Sequence, residues 1–395
     1  MSNREVVILA GARTAIGTFG GALKDVPPSA LAALVTREAM GRADVAPDAV
    51  GHVVFGNVIH TEPRDMYLSR IAAVEAGIPV EVPALTVNRL CGSGAQAIVS
   101  AAQTILLGDV EVAVAGGAES MSRAPYASLD ARFGQKMGDA TMADMMLGAL
   151  NCPFGTGHMG VTAENVARDW NISRADQDAL ALESQKRAAS AIKDGRFREQ
   201  IVPVEVKVRR DTVSFDTDEH VRGDTTAETL ASLRAVFQKD GSVTAGNASG
   251  INDGAAAVIL MDRERAEREG RKPMARIVGY AHAGVEPSVM GVGPIPAVRK
   301  LLEKTGLSVA DFDTIESNEA FAAQACAVAK DLGLPAEKLN PNGGAIALGH
   351  PVGATGCIVT IKAMYELKRI GGRFGLITMC IGGGQGIAIA IENLA

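Results

Sequence analysis

The sequence predicts an α/β fold made by duplication: two strand-and-helix halves of mostly parallel sheet, with one long insertion in the first. Three observations carry this. The same order of elements recurs at both ends of the chain, each half holds a glycine-rich strand-to-helix junction, and residues 121–250 have no counterpart in the second half.

Strand-like residues 6–10 and 275–280 open the halves, and an Ala/Leu-rich helix over 29–40 has its partner over 296–304. Short strands over 52–57 and 313–318 come next, each ending on an asparagine, Asn57 and Asn318. Alanine-rich helices over 69–76 and 322–332 then stop at Gly77 and Gly333, because glycine takes the left-handed conformation that closes a helix. The junctions follow: Val87-Asn88-Arg89-Leu90-Cys91-Gly92-Ser93-Gly94 before a helix over 95–107, and Gly349-His350-Pro351-Val352-Gly353-Ala354-Thr355-Gly356 before a helix over 357–368. Buried strands over 111–115 and 374–380 complete the repeat, each running into glycines. Sites in open α/β sheets lie at the carboxyl ends of strands, which is where both junctions fall. The insertion is expected to hold one amphipathic helix, over 173–193, opened by Ser173 with Asp176 as a capping pair, and otherwise loops and short strands.

Composition narrows the function. A chain of 395 residues that is 47% hydrophobic fills the cores of two ordinary domains or one large compound one, and a net charge of -6 disfavours nucleic acid as a partner. The apolar residues 375–391 are broken by Gly382-Gly383-Gly384 and Gly386, so they read as two strands about a turn and not as a membrane helix. Residues 1–5 run straight into the first strand without a signal peptide's apolar core, and a cytoplasmic protein with no membrane partner is expected. The five cysteines, at 91, 152, 326, 357 and 380, lack paired spacing and read as free thiols.

Three residues have chemical promise. Cys91 stands at the start of a helix, where unpaired amides and the macrodipole favour a thiolate nucleophile; the alternative is a silent core thiol. His350 is held between Gly349 and Pro351 on a rigid loop and suits a base, although a lone histidine is more often structural. Cys380 closes a buried strand before Ile381-Gly382-Gly383-Gly384 and directs a second thiol to the same end of the sheets. Two cysteines and a histidine could also bind zinc, but a fourth ligand and short cysteine pairs are missing.

Four motifs together resemble the thiolase family over essentially the whole chain: Asn88 to Gly94 around the first cysteine; Ser317-Asn318-Glu319-Ala320-Phe321; Asn340-Pro341-Asn342-Gly343-Gly344-Ala345 leading to Gly349-His350-Pro351; and Cys380 to Gly386. The resemblance implies a five-layered αβαβα fold of two duplicated mixed-sheet halves with an inserted loop domain. The expected domains are residues 1–120 with about 251–272, the insertion 121–250, and 273–395. It implies that Cys91 takes the acyl group while His350 accepts its proton, and that Cys380 deprotonates acetyl-CoA. His350 with a water on Asn318 would form one oxyanion hole, and the amides of Cys91 and Gly382 the other.

The resemblance is to the biosynthetic short-chain type. It places His158, Met159, Met290 and Phe321 along the acyl pocket, Ala248 and Ser249 against pantetheine, and Arg222 near adenine. Acyl-CoA and CoA are then substrates and partners, no further cofactor or metal is needed, and the assembly is a homotetramer. A broader-range 3-ketoacyl-CoA thiolase is the first competing reading; a ketoacyl synthase using carrier-protein thioesters, which lacks the second cysteine, and a non-catalytic lipid-binding relative, which should have lost one of the three reactive groups, come after it.

Overall fold

A computed structural model describes residues 4–395. Ten strands join in one sheet, ordered Phe312–Ser317, Phe374–Ile381, Gln385–Asn393, Ala275–Gly284, Val6–Arg13, Asn252–Asp262, Val112–Ser120, His52–Gly56 and Ala84–Val87, with Gly17–Thr18 pairing beside Asn252–Asp262. The duplication is plain in this order. In the first half Val112–Ser120 is parallel to His52–Gly56 and antiparallel to Asn252–Asp262; in the second, Phe374–Ile381 is parallel to Phe312–Ser317 and antiparallel to Gln385–Asn393.

The sheet therefore departs from the mostly parallel reading of the alternation and matches the mixed halves implied by the resemblance. The cause is local. A turn of three glycines sends the chain from Ile381 straight back to Gln385, and so short a connection only permits an antiparallel neighbour. Nor are there two separate sheets, because Val7 pairs with Arg276 and Ile8 with Ala275 and joins the halves at their edges.

Three apolar clusters set out the layers. One lies between the first half-sheet and helices Pro28–Ala43 and Leu68–Glu75. Another lies between the second half-sheet and helices Pro294–Thr305 and Ala322–Leu332. The largest surrounds two central helices, Ser93–Leu107 and Thr355–Ile370, with side chains from both half-sheets. This is the five-layered order. The central helices meet at glycines: a Cβ on Gly94 would stand 2.7 Å from the Cys357 amide nitrogen, so any side chain there would push the helices apart. The apolar run Leu90–Leu107 has the length and hydropathy of a membrane span, but it is this central helix, explained by its packing.

In the insertion, helix Arg174–Lys193 forms with Ser173 as its N-cap, and Ser173 and Asp176 cap each other through 2.9 and 3.1 Å hydrogen bonds. The expectation of a single helix there is too low. Met145–Leu150, Met159–Asp169 and Ala227–Ala231 are also helical. Glycines on either side of His158 hid the second of these; its cap is the imidazole, whose Nδ1 accepts from the Gly160 amide at 3.0 Å, and Ala163, Val166 and Ala167 bury its inner face.

Candidate active site

The Cys91 turn begins where strand Ala84–Val87 ends. Asn88 Oδ1 accepts from the Leu90 amide at 2.9 Å, while Ser93 Oγ accepts from the Arg89 amide and donates to the Leu90 carbonyl. These bonds hold Leu90 at φ +45°, a left-handed conformation that disfavours a side chain by roughly 1–2 kcal/mol. The twist presents Cys91, half-buried, to a cavity. Gly92 then caps the helix, and its missing side chain admits the other half: a Cβ there would lie 2.5 Å from Ile381 Cδ1.

Burial pushes the Cys91 thiol up, while the Gly382 amide pulls the other way and loses. The expectation of a ready thiolate is corrected here. Cys91 lies two residues ahead of the first helical residue, and loss of water outweighs what the helix end supplies. A resting thiol of this kind needs a base.

The hydrogen bonds of His350 arrange it as a group able to accept a proton. Its Nδ1 lies 2.7 Å from Thr355 Oγ1, whose own proton is directed to the Pro351 carbonyl at 2.9 Å. The hydroxyl must therefore accept from Nδ1–H, which leaves Nε2 as a bare lone pair. Nε2 is buried without a partner among the described residues, and burial lowers the imidazole to about 4, so the ring is neutral near pH 7. The loop is fixed by Asn252, whose Oδ1 accepts from the His350 amide and whose Nδ2 donates to Gly17. Gly349 meets this asparagine at φ +106°, where only glycine fits.

Cys380 is fully buried at the end of Phe374–Ile381 and packs with Met159, Met290, Ala320 and Phe321, which line the cavity. Burial and the neighbouring Cys91 both push its thiol up. Asn318, also buried, leaves both side-chain amide atoms without a partner among the described residues, which suits a group that holds water or an oxyanion. The cavity, about 560 Å³, is lined by Cys91, His350, Gly382, His158, Met159, Arg222, Ala248, Ser249, Met290 and Phe321. Of the expected residues, Asn318 and Cys380 are outside this lining. Arg222 is exposed at the rim, and Ala248 pairs with Phe321, tying the insertion to the Asn318 segment.

Two family descriptions cover the chain: Thiolase, N-terminal domain, over residues 6–264, and Thiolase, C-terminal domain, over 271–393. The chain belongs to the thiolase family. Among similar proteins, the beta-ketothiolase BktB of Cupriavidus necator is 65% identical over 99% of this chain and 100% of its own. An acetyl-CoA acetyltransferase of Chromobacterium violaceum is 50% identical over 98% and 100%. The crystal structure of the Bacillus anthracis acetyl-CoA acetyltransferase superposes with a TM-score of 0.97 at 49% identity, covering 99% of both chains. Human mitochondrial 3-ketoacyl-CoA thiolase in complex with CoA gives 0.96 at 45%, covering 99% of this chain and 98% of that one.

Sequence reading missed parts of this thiolase site. Thr355 and Asn252 fix the imidazole, yet Thr355 is only one letter of a glycine-rich run and Asn252 is about a hundred residues away. Phe237 stacks on His158 at 4.7 Å and meets Phe321 edge-on at 6.2 Å, forming an aromatic wall. Gly160 is the one hint, since a side chain there would enter the Phe237 ring. Among the described residues no group of three or more His, Cys, Asp or Glu is placed to hold a metal.

Proposed function

We propose that this thiolase condenses two acetyl-CoA to acetoacetyl-CoA and CoA, or runs the reverse thiolysis, through an acetyl group on Cys91. The observation that carries the reading is the neutral His350 with its unpartnered Nε2 in the cavity that also receives Cys91. Nε2 takes the Cys91 proton, the thiolate attacks the thioester carbonyl, and the proton passes to the departing CoA sulfur. Cys380, neutral at rest, gives up its proton within the site, with His350 as the neutral base able to take it. The resulting thiolate removes a methyl proton of the second acetyl-CoA.

The enolate oxygen is then stabilised by protonated His350 and by a water held on Asn318. Its carbanion attacks the acetyl-cysteine, and the new oxyanion is met by the amides of Cys91 and Gly382. Collapse breaks the carbon–sulfur bond to Cys91, and the protons return to the two thiols. CoA thioesters are the substrates, and this chemistry calls on no cofactor.

Met159 and Met290, both buried, back the acyl end with Phe321 and support a preference for four- or five-carbon 3-oxoacyl groups. Arg222 at the rim and Ala248 and Ser249 on the wall suit the adenine and pantetheine ends. The large exposed apolar side chains of the insertion, among them Leu129, Phe133 and Met137, support a homotetramer. Five free thiols agree with a cytoplasmic enzyme.

The test is cleavage of acetoacetyl-CoA by free CoA. Release of acetyl-CoA supports the reading; cleavage only when a carrier-protein thiol replaces CoA would assign the chain to carrier-bound chemistry instead.

A further inference from the structure

Glu119 is buried at the end of Val112–Ser120, and none of the chemistry above uses it. Its two oxygens accept four hydrogen bonds: from the Val58 amide at 3.0 Å and the Gly353 amide at 2.9 Å on one, and from the Ile59 amide and Asn57 Nδ2, both at 3.1 Å, on the other. Every partner is a donor, so a carboxyl proton would displace one of them or require the Asn57 amide to turn its Oδ1 inward and give up its bond to the Ala118 carbonyl. The arrangement calls for the anion, although burial lifts the carboxyl to about 8. It also spans the molecule's seam. Val58 and Ile59 belong to the first half, and Gly353 lies just ahead of the second half's central helix Thr355–Ile370, whose first turn favours a negative charge.

We propose that Glu119 is a positioning residue for catalysis, anchoring the start of helix Thr355–Ile370 so that Thr355 holds His350 in its proton-accepting tautomer opposite Cys91. The chain of contacts is short: Glu119 to the Gly353 amide, Thr355 two residues on, and Thr355 Oγ1 to His350 Nδ1. Space enforces it, because a Cβ on Gly353 would lie 2.5 Å from Glu119 Oε2 and one on Gly117 would strike the Gly353 carbonyl. Val58 and Val352, which flank the anchor, line the substrate cavity.

The inference rests on the thiolase reaction proposed above. Glu119→Gln keeps the shape but turns an N–H towards donors, so turnover per Cys91 site, titrated by [14C]acetyl-CoA, should fall about 10- to 100-fold with KM for acetoacetyl-CoA within about threefold, in line with weakened general-base catalysis. Asn57→Ala, which removes one side-chain donor and leaves the three amides, should lower kcat in the same direction by about two- to fivefold. It carries the test should the first variant not fold. A lower melting temperature with turnover per titrated site unchanged in both variants would overturn the proposal, since Glu119 would then only support the fold. A wild-type protein that does not turn over acetoacetyl-CoA would instead defeat the thiolase reaction itself.

Discussion

The two glycine-rich junctions occupy equivalent places in the duplicated halves, yet one presents a half-buried thiol and the other a fully buried imidazole. At the first, Leu90 at φ +45° turns Cys91 towards the cavity. At the second, Gly349 at φ +106° and Asn252 hold His350 in a buried position on the cavity wall, where Thr355 commits its hydroxyl to holding one tautomer. The difference teaches that one scaffold serves two roles by backbone twist and burial: a nucleophile has to be reached, whereas a base has to stay neutral.

Removing the half-buried member should do most. Cys91→Ala should abolish acetylation and lower thiolysis at least about 10,000-fold, measured by loss of the acetoacetyl-CoA absorbance, because covalent catalysis has no substitute here. Next comes the buried member. His350→Asn should lower Cys91 acetylation by about 100- to 10,000-fold, the range for a positioned general base. A loss below tenfold would mean that Cys91 ionises without it.

The burial of His350 also fixes a pH dependence. With the imidazole at about 4 in the folded protein and near 6.5 when unfolded, the unfolded chain binds the extra proton between these values. This residue's share of stability should therefore be intact above about pH 6.5 and decline as pH falls towards 4. The acid limb of kcat/KM should likewise have its midpoint near 4; a limb centred near 6.5 would show a solvated imidazole. A smaller effect sharpens the view of the cavity. Phe237→Ala removes the ring stacked on His158 and should shift thiolysis towards longer 3-oxoacyl-CoA by roughly 1–3 kcal/mol of discrimination, read from kcat/KM over a chain-length series.

Much of this was legible in the sequence because duplication writes itself as repeated order. Helix Ala322–Leu332 falls where its alanines and Gly333 place it, and the 374–381 and 385–393 strands fall on either side of their glycines. Strand direction was not legible, because alternation of elements does not reveal that the last connection is a tight turn. The resemblance brought Cys91, His350 and Gly382 to one cavity, but the charge state of the thiols escaped it. A helix start is visible in the letters, whereas the desolvation that outweighs it depends on residues from both halves. Glu119 escaped for the same reason: it sits in an alanine- and glycine-rich strand, and its four donors come from two distant segments.

The central claim is that Cys91 is the residue that carries the acyl group. The direct test is to incubate the protein with acetyl-CoA alone and map the modified peptide by mass spectrometry, with Cys380→Ser in parallel. One acetyl group on Cys91 in both proteins, with exchange of the acetyl-CoA methyl protons lost only in Cys380→Ser, is the predicted result. Acetyl on Cys152, Cys326 or Cys357 while Cys91 remains free would contradict it.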